Sequence, residues 1–491
     1  MKKEIILNFI FTVTVSLLGF IQNRYFVQYM GIEILGMMKL FSQLLVYLNI
    51  IELGLGSASA FALYKPLAEK NYYQISIIVN TIDNIYNKIG ISLLVLGILC
   101  VPIIPFFIEI SNFSSVVYFY WILYVLNTIS TYLFIKYVIL FTANQEFLFI
   151  RTVQSTSIIS FRVLQIFCII KFHSFFIYIL LLIFDNLTQW IFLRRHYKKK
   201  YFYVVKTKEK YEGIKNDIKN LFWHKIGGLV VFNTDLILIS KFADLKTVGI
   251  YASYQMIAQV LLTIVNIVLN VLSPKIGKYI AEHNKQKTYI YLKKYNILFC
   301  FVSIIFTYCT FILMDSFICL WLGNQFILSK ITLKLICFNI FVNLFRWNLE
   351  SFKSGAGFFD DIKSPILESI INLIVSIVLG LKLGLDGVII GTIISNIVVI
   401  LIYKPILVFE RCFDKNWKEY IKVYGNYLIL IVISLLSCNF ILSFISLKVI
   451  KSWIDWIING ITVGSITFII IFVIFLSDKD FREGLKSLRN Q

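Results

Sequence analysis

Apolar runs of about twenty residues recur along the whole chain, separated by short clusters rich in Lys, Arg, Asn and Pro. A helix rises about 1.5 Å per residue and bilayer hydrocarbon is about 30 Å thick, so each run is long enough to span. The pattern predicts about fourteen spans, over residues 5–28, 35–63, 88–108, 116–143, 148–171, 174–195, 220–241, 248–272, 295–317, 331–352, 364–382, 386–407, 425–447 and 453–477. Charged or Asn-rich interruptions fall in spans 1, 5, 7 and 10. The first run lacks a small-residue cleavage site, so it reads as a span rather than a cleaved signal peptide.

Composition agrees. Of 491 residues, 59% are hydrophobic and 15% are charged, against roughly 25% charged in soluble proteins. The net charge of +20 would suggest nucleic acid in a soluble chain, but the positions of the charges decide otherwise. Loops alternate between the two membrane faces. Most basic residues fall on the side of the N-terminus, including Lys65, Lys70, Lys88, Arg151, the dense run from Arg194 to Lys225, Lys353 and Lys404. The opposite side holds Lys171, Lys241, Lys246, Lys330, Lys334, Lys382, Lys448 and Lys451. The positive-inside rule then places both termini in the cytoplasm, and the basic loops read mostly as solvated topology signals. The eight cysteines form no C-x-x-C pair and the four histidines show no metal spacing. No metal, cofactor or catalytic residue is expected.

The chain weakly resembles itself at an offset of about 210. Met30 to Phe41 aligns with Ala243 to Tyr254, which matches Ile32 with Leu245 and Gly36 with Gly249. Lys65-Pro66 and Pro274-Lys275 end the spans that follow, and Asp185-Asn186 matches Ser395-Asn396. The expected fold is an all-α integral membrane protein with two pseudo-repeated six-helix lobes and a C-terminal helix pair. Its divisions are an N-terminal lobe 1–195, a basic cytoplasmic linker 196–219, a second lobe 220–412, and a pair of spans with a tail, 413–491. Repeated lobes about a central site are a recurrent transporter plan. Gly380, Gly384, Gly387 and Gly391 give two G-x-x-x-G spacings that permit close helix packing.

A charge at mid-membrane costs roughly 2.5–3.5 kcal/mol on insertion scales, so it needs a partner or a watery cavity. Arg24, Lys39, Lys136, Arg162 and Arg346 lie inside spans, as do Glu52, Asp185, Asp235, Glu350 and Glu368. By depth, Arg24, Lys136, Arg162 and Arg346 form a candidate cationic ladder for an anionic cargo, since a guanidinium offers a planar fork to phosphate oxygens. Glu52, Asp185, Asp235 and Glu368 are candidates for coupling ions or for balancing the arginines. Structural ion pairs between helices are the competing reading for each residue.

Several stretches carry a resemblance. They are Glu52-Leu-Gly-Leu-Gly-Ser-Ala, Leu63-Tyr-Lys-Pro-Leu-Ala, Thr234-Asp235 through Gly249-Ile-Tyr, Trp321-Leu-Gly-Asn and Gly355-Ala-Gly-Phe-Phe-Asp-Asp-Ile-Lys-Ser-Pro365, followed by Asn372-Leu-Ile-Val-Ser376, Gly384-Leu-Asp-Gly387 and Gly391-Thr. In this order and frame the chain resembles Wzx-type polysaccharide flippases of the multidrug/oligosaccharidyl-lipid/polysaccharide exporter superfamily. The resemblance implies helical bundles around a cationic cavity that work by alternating access. It implies an undecaprenyl-diphosphate-linked oligosaccharide as cargo, moved to the outer leaflet for surface polysaccharide such as capsule, exopolysaccharide or O-antigen. Implied partners are membrane lipids, a polysaccharide polymerase and other assembly proteins. Arg24 is the best positional match to the family's cavity cations. An ion-coupled multidrug exporter would share the fold. A membrane polymerase fits less well, because no outer loop is long enough for a catalytic domain, and no G-x-x-x-x-G-K-[ST] phosphate loop is present.

Overall fold

The computed structural model describes residues 2–52, 55–108, 116–211, 234–358, 361, 363–445 and 447–489. Every regular element among them is helical. Eleven of these helices are long and apolar enough to cross a membrane, and the protein is a multi-pass membrane protein. Two compact units divide the chain, Met1–Gly249 and Ile250–Gln491.

The first unit contains α1 (Lys2–Met30), α2 (Ile32–Leu48), α3 (Leu55–Ala68), α4 (Tyr72–Leu99), α5 (Val116–Ala143), α6 (Phe147–Phe172), α7 (Phe175–Lys200) and α8 (Asp235–Phe242), and it ends inside α9 (Leu245–Glu282). Most boundaries sit where the hydropathy put them. Two expected spans do not. The single span 35–63 is α2, a 3₁₀ turn over Asn49–Glu52, and α3. Glu52 and Asn49 leave the helical path there and accept the Tyr132 hydroxyl, at 3.1 and 2.7 Å.

The span expected at 88–108 begins much earlier, at Tyr72. The Asn71 side chain caps its N-terminus through the Gln74 amide, 3.0 Å away. Ile75, Ile78, Val79, Ile82, Tyr86 and Ile89 then bury one face at helical spacing. The polar residues that suggested a loop lie on the other face. Pro102 and Pro105 hold the following segment in a 3₁₀ turn. Most of the seventh expected span, 220–241, lies outside the described residues, and α8 is its end.

The basic linker is more tightly held than its composition suggests. Residues 203–211 run back along α4. Tyr203 stacks against Tyr72 at 4.2 Å, Asn80 donates to the Val205 carbonyl at 2.8 Å, and Tyr73 donates to Glu209 at 2.6 Å. Glu146, in the short turn from α5 to α6, fixes the start of this segment. Its carboxylate accepts the Tyr201 hydroxyl, the Asn144 amide at 2.8 Å and the Lys200 ammonium at 3.0 Å, and His196 Nε2 lies 2.8 Å away. Burial alone would push this carboxyl up, but these donors more than reverse that and hold it at about 2 against an ordinary 4.5. A depressed carboxylate stabilises the fold above its unfolded pKa, and the contribution disappears as pH falls through the folded value. Glu146→Gln is expected to cost about 1–3 kcal/mol at pH 7. In thermal unfolding in detergent, the gap from wild type should close as pH falls from 4.5 toward about 2. A gap independent of pH would refute this.

The second unit holds the rest of α9, then α10 (Lys285–Trp321), α11 (Lys330–Gly355), α12 (Lys363–Leu383), α13 (Leu385–Ser395), a π-helical turn over Asn396–Tyr403, α14 (Lys404–Phe413), α15 (Trp417–Ser443), α16 (Trp453–Phe475) and α17 (Lys479–Arg489). Asn284, Ser329, Asn416 and Ser452 cap α10, α11, α15 and α16 through their side chains. Ile297, Cys300, Ile304, Tyr427, Ile471, Phe475 and Phe481 form its core. On α15, Leu428, Val432, Leu436 and Phe440 repeat every four residues and are all exposed, as a lipid-facing stripe requires.

The glycines near the α12–α13 turn pack as their spacing predicted. A Cβ on Gly387 would meet the Leu379 carbonyl oxygen at 2.1 Å, and one on Gly391 the Ser376 hydroxyl at 2.1 Å. The π turn follows. Within it the Leu401 carbonyl accepts the Tyr420 hydroxyl from α15.

Candidate functional site

The strongest concentration of chemistry in the first unit lies along the seam between α1 and α6. Both helices are apolar enough to span, yet polar contacts join them at three levels. Arg151 Nη2 donates to Thr12 Oγ1 at 2.9 Å. Arg162 donates to the main-chain carbonyl of Val15. Gln22 donates to Gln165 Oε1 at 2.6 Å, with both side chains buried.

Arg162 is the centre of this seam. Asp185 on α7 is near enough to attract it, and Lys39 on α2 lies in the same neighbourhood. Arg162 forms no ion pair among the described residues. Asp185 is held separately, by the Ser157 hydroxyl and by Gln189 Nε2 at 3.0 Å. Beside it, Asn186 donates to Asn127 Oδ1 at 3.0 Å and to Ser130 Oγ at 2.8 Å. A partly buried arginine with no ion pair among the described residues sets up positive potential in low dielectric, where an anion gains most.

The remaining residues singled out from the sequence fall elsewhere. Arg24 is exposed near the end of α1. Lys136 on α5 pairs with Asp83 on α4 at 2.7 Å. Glu52 receives Tyr132. Asp235, 8% exposed, opens α8, beside Thr234, whose hydroxyl lies 2.6 Å from that of Tyr47. In the second unit, Arg346 makes a two-pronged pair with Glu368 at 3.1 and 3.4 Å. Arg162, Asp185 and Lys39 therefore share one neighbourhood, whereas Lys136 and Arg346 each have a carboxylate of their own.

A second charge cluster was not foreseen. Lys353 and Lys404, expected as solvated loop cations, are 9% and 4% exposed. Lys353 pairs with Asp361 at 2.6 Å, and Lys404 pairs with Glu350. The order Glu350, Lys353 and Asp361 in the sequence was the available signal, because a lysine one helical turn from a carboxylate can be neutralised in place. Lys39 was noticed as an intramembrane cation, but its approach to Arg162 depends on how α2 packs.

Known proteins agree with this architecture. A family model described as "Polysaccharide biosynthesis protein" matches residues 1–280. No curated protein matches the chain by sequence. Among solved structures, the chain is similar to "Lipid II flippase MurJ, inward closed conformation", with a TM-score of 0.69 and 16% identity over 96% of this chain and 99% of that one. It is also similar to a multidrug resistance MATE family transporter of the MOP superfamily, in an inward-facing conformation, with a TM-score of 0.57 and 12% identity over 79% of this chain and 92% of that one. At such identities the likeness shows the fold, an all-helical one shared with these two transporters. With the family match covering more than half of its length, the chain belongs to the polysaccharide biosynthesis protein family.

Proposed function

We propose that the protein flips undecaprenyl-diphosphate-linked oligosaccharide from the cytoplasmic to the outer leaflet by alternating access, for surface polysaccharide assembly. The observation that carries this reading is Arg162, a cation within the apolar α1–α6 seam that donates to the Val15 carbonyl and forms no ion pair among the described residues. Such a cation inside a membrane protein suits a cargo with several negative charges, as a diphosphate has, and is poorly suited to a cationic drug. In this reading Arg24 and Arg162 face the cargo, Lys39 joins them, and Lys136 and Arg346 are balanced by Asp83 and Glu368 until the cargo or a conformational change releases them. Asp185, Glu52, Asp235 and Glu368 then tune the cations or carry a coupling ion. Both termini lie in the cytoplasm, as the loop charges require, and a polymerase consumes the flipped product.

Deleting the gene in its native host and extracting lipids tests the proposal. The expected result is accumulation of a polyprenyl-diphosphate oligosaccharide facing the cytoplasm, with loss of surface glycan. An unchanged lipid-linked pool with new sensitivity to cationic compounds would favour drug export. Accumulation of a unit lacking one sugar would indicate an enzyme.

A further inference from the structure

At the Arg151 end of the α1–α6 seam is a cavity of about 720 Å³. It is lined from three helices and a turn, by Asn8 and Thr12 of α1, Thr142 of α5, Gln145 of the α5–α6 turn, and Arg151 and Gln154 of α6, with Phe147, Leu148 and Ile150 completing the wall. Its polar side chains are amides and hydroxyls, and Arg151 supplies the only charge in that lining. Arg151 makes no ion pair among the described residues. One Nη2 hydrogen is directed at Thr12, and its Nε is buried without a hydrogen-bond partner. A guanidinium has five donors in a fixed fork, so most of this one's donor capacity has no acceptor among the described residues. A cationic cavity with neutral donors and, among the described residues, no carboxylate in its lining is chemically suited to an oxyanion.

We propose that this cavity is a binding site for a phosphoryl anion and receives the diphosphate of the lipid-linked cargo before it reaches Arg162. The assignment of that anion to cargo rests on the flippase reading. The volume exceeds what one phosphate fills, leaving room for the first sugar against the amides of Asn8, Gln145 and Gln154. Arg151 and Arg162 lie on one helix about 16 Å apart along its axis, joined to α1 at successive levels. A headgroup leaving Arg151 therefore meets the next cation along the same seam.

The test uses full-length protein in phosphatidylcholine nanodiscs, titrated calorimetrically with inorganic diphosphate. Saturable binding is expected, weakened about tenfold or more by Arg151→Gln and partly restored by Arg151→Lys, which keeps the charge but loses the fork. Gln154→Glu, which brings a like charge into the same cavity, is a second variant and should weaken binding in the same direction. Polyprenyl diphosphate doped into the disc should displace the probe. Absence of saturable binding, binding indifferent to both Arg151→Gln and Gln154→Glu, or equal displacement by phosphatidylglycerol would each overturn the proposal. Binding is read without transport. Arg151-dependent binding in a protein whose deletion leaves the lipid-linked pool unchanged would keep the anion site and discard the flippase reading, while the reverse pair of results would do the opposite.

Discussion

A leucine at Gly36 or Gly249 is expected to abolish restoration of surface glycan in the deletion strain, with the protein still present in the membrane at near-normal amounts. In the first unit α2 crosses the start of α9 at these two glycines. A Cβ on Gly36 would stand 1.9 Å from the Leu245 carbonyl oxygen, and one on Gly249 would stand 2.3 Å from the Ile32 carbonyl oxygen. The obstructing atoms are backbone, so no rotamer change relieves the clash, and even alanine forces the segments apart. The contact is reciprocal. Gly36 meets the residue that aligns with Ile32, and Gly249 meets Ile32 itself, as in a two-fold contact between equivalent segments.

The rest of α2 is anchored independently, with Phe41 packed edge-on against Trp121 and Tyr124 of α5. The bundle should therefore survive while this crossing cannot form. Gly36→Ala should give partial loss and Gly36→Leu complete loss. Wild-type surface glycan with Gly36→Leu would show that the crossing is dispensable.

Those glycines align in the sequence at the offset of its weak internal resemblance, and the structure brings them together. The class of fold was legible. The apolar run 116–143 coincides with α5, and α11, α12 and α16 lie close to the expected bounds 331–352, 364–382 and 453–477, whereas α15 begins well before the expected 425. Legibility failed where one face of a helix is polar. The first half of α4 holds Asn80, Asp83, Asn84 and Lys88 beside buried Ile75, Ile78 and Ile82. Average hydropathy reads such a stretch as a loop, although its periodicity is helical. Charges failed in the same way. Lys353 and Lys404 count as loop cations by position, yet a carboxylate distant in sequence or on a neighbouring turn lets each stay buried. Depth along a helix is readable from sequence, but the direction a charge faces around that helix depends on packing. Arg151 is one such case. Counted only as a topology signal, it lines a cavity because α1 and the α5–α6 turn close around it.

Arg162→Ala is expected to reduce the initial rate of flipping in reconstituted vesicles about ten- to hundredfold, the range of one or two charge-assisted hydrogen bonds. Protein levels and thermal stability should change little, because the guanidinium's protein contact is one carbonyl that already belongs to a helix. Arg162→Lys keeps the charge and should recover a substantial fraction of the rate, with the remainder reporting the planar fork. Asp185→Asn separates the two roles of the neighbourhood. If Asp185 only restrains Arg162 electrostatically, neutralising it should tighten cargo binding and slow release. If it carries a coupling ion, flipping should lose its dependence on the ion gradient. Arg346→Ala provides the contrast. It strands Glu368, which is 2% exposed, and should therefore lower stability as well as rate. Arg162→Ala vesicles that flip at the wild-type rate would remove the α1–α6 seam from the transport path.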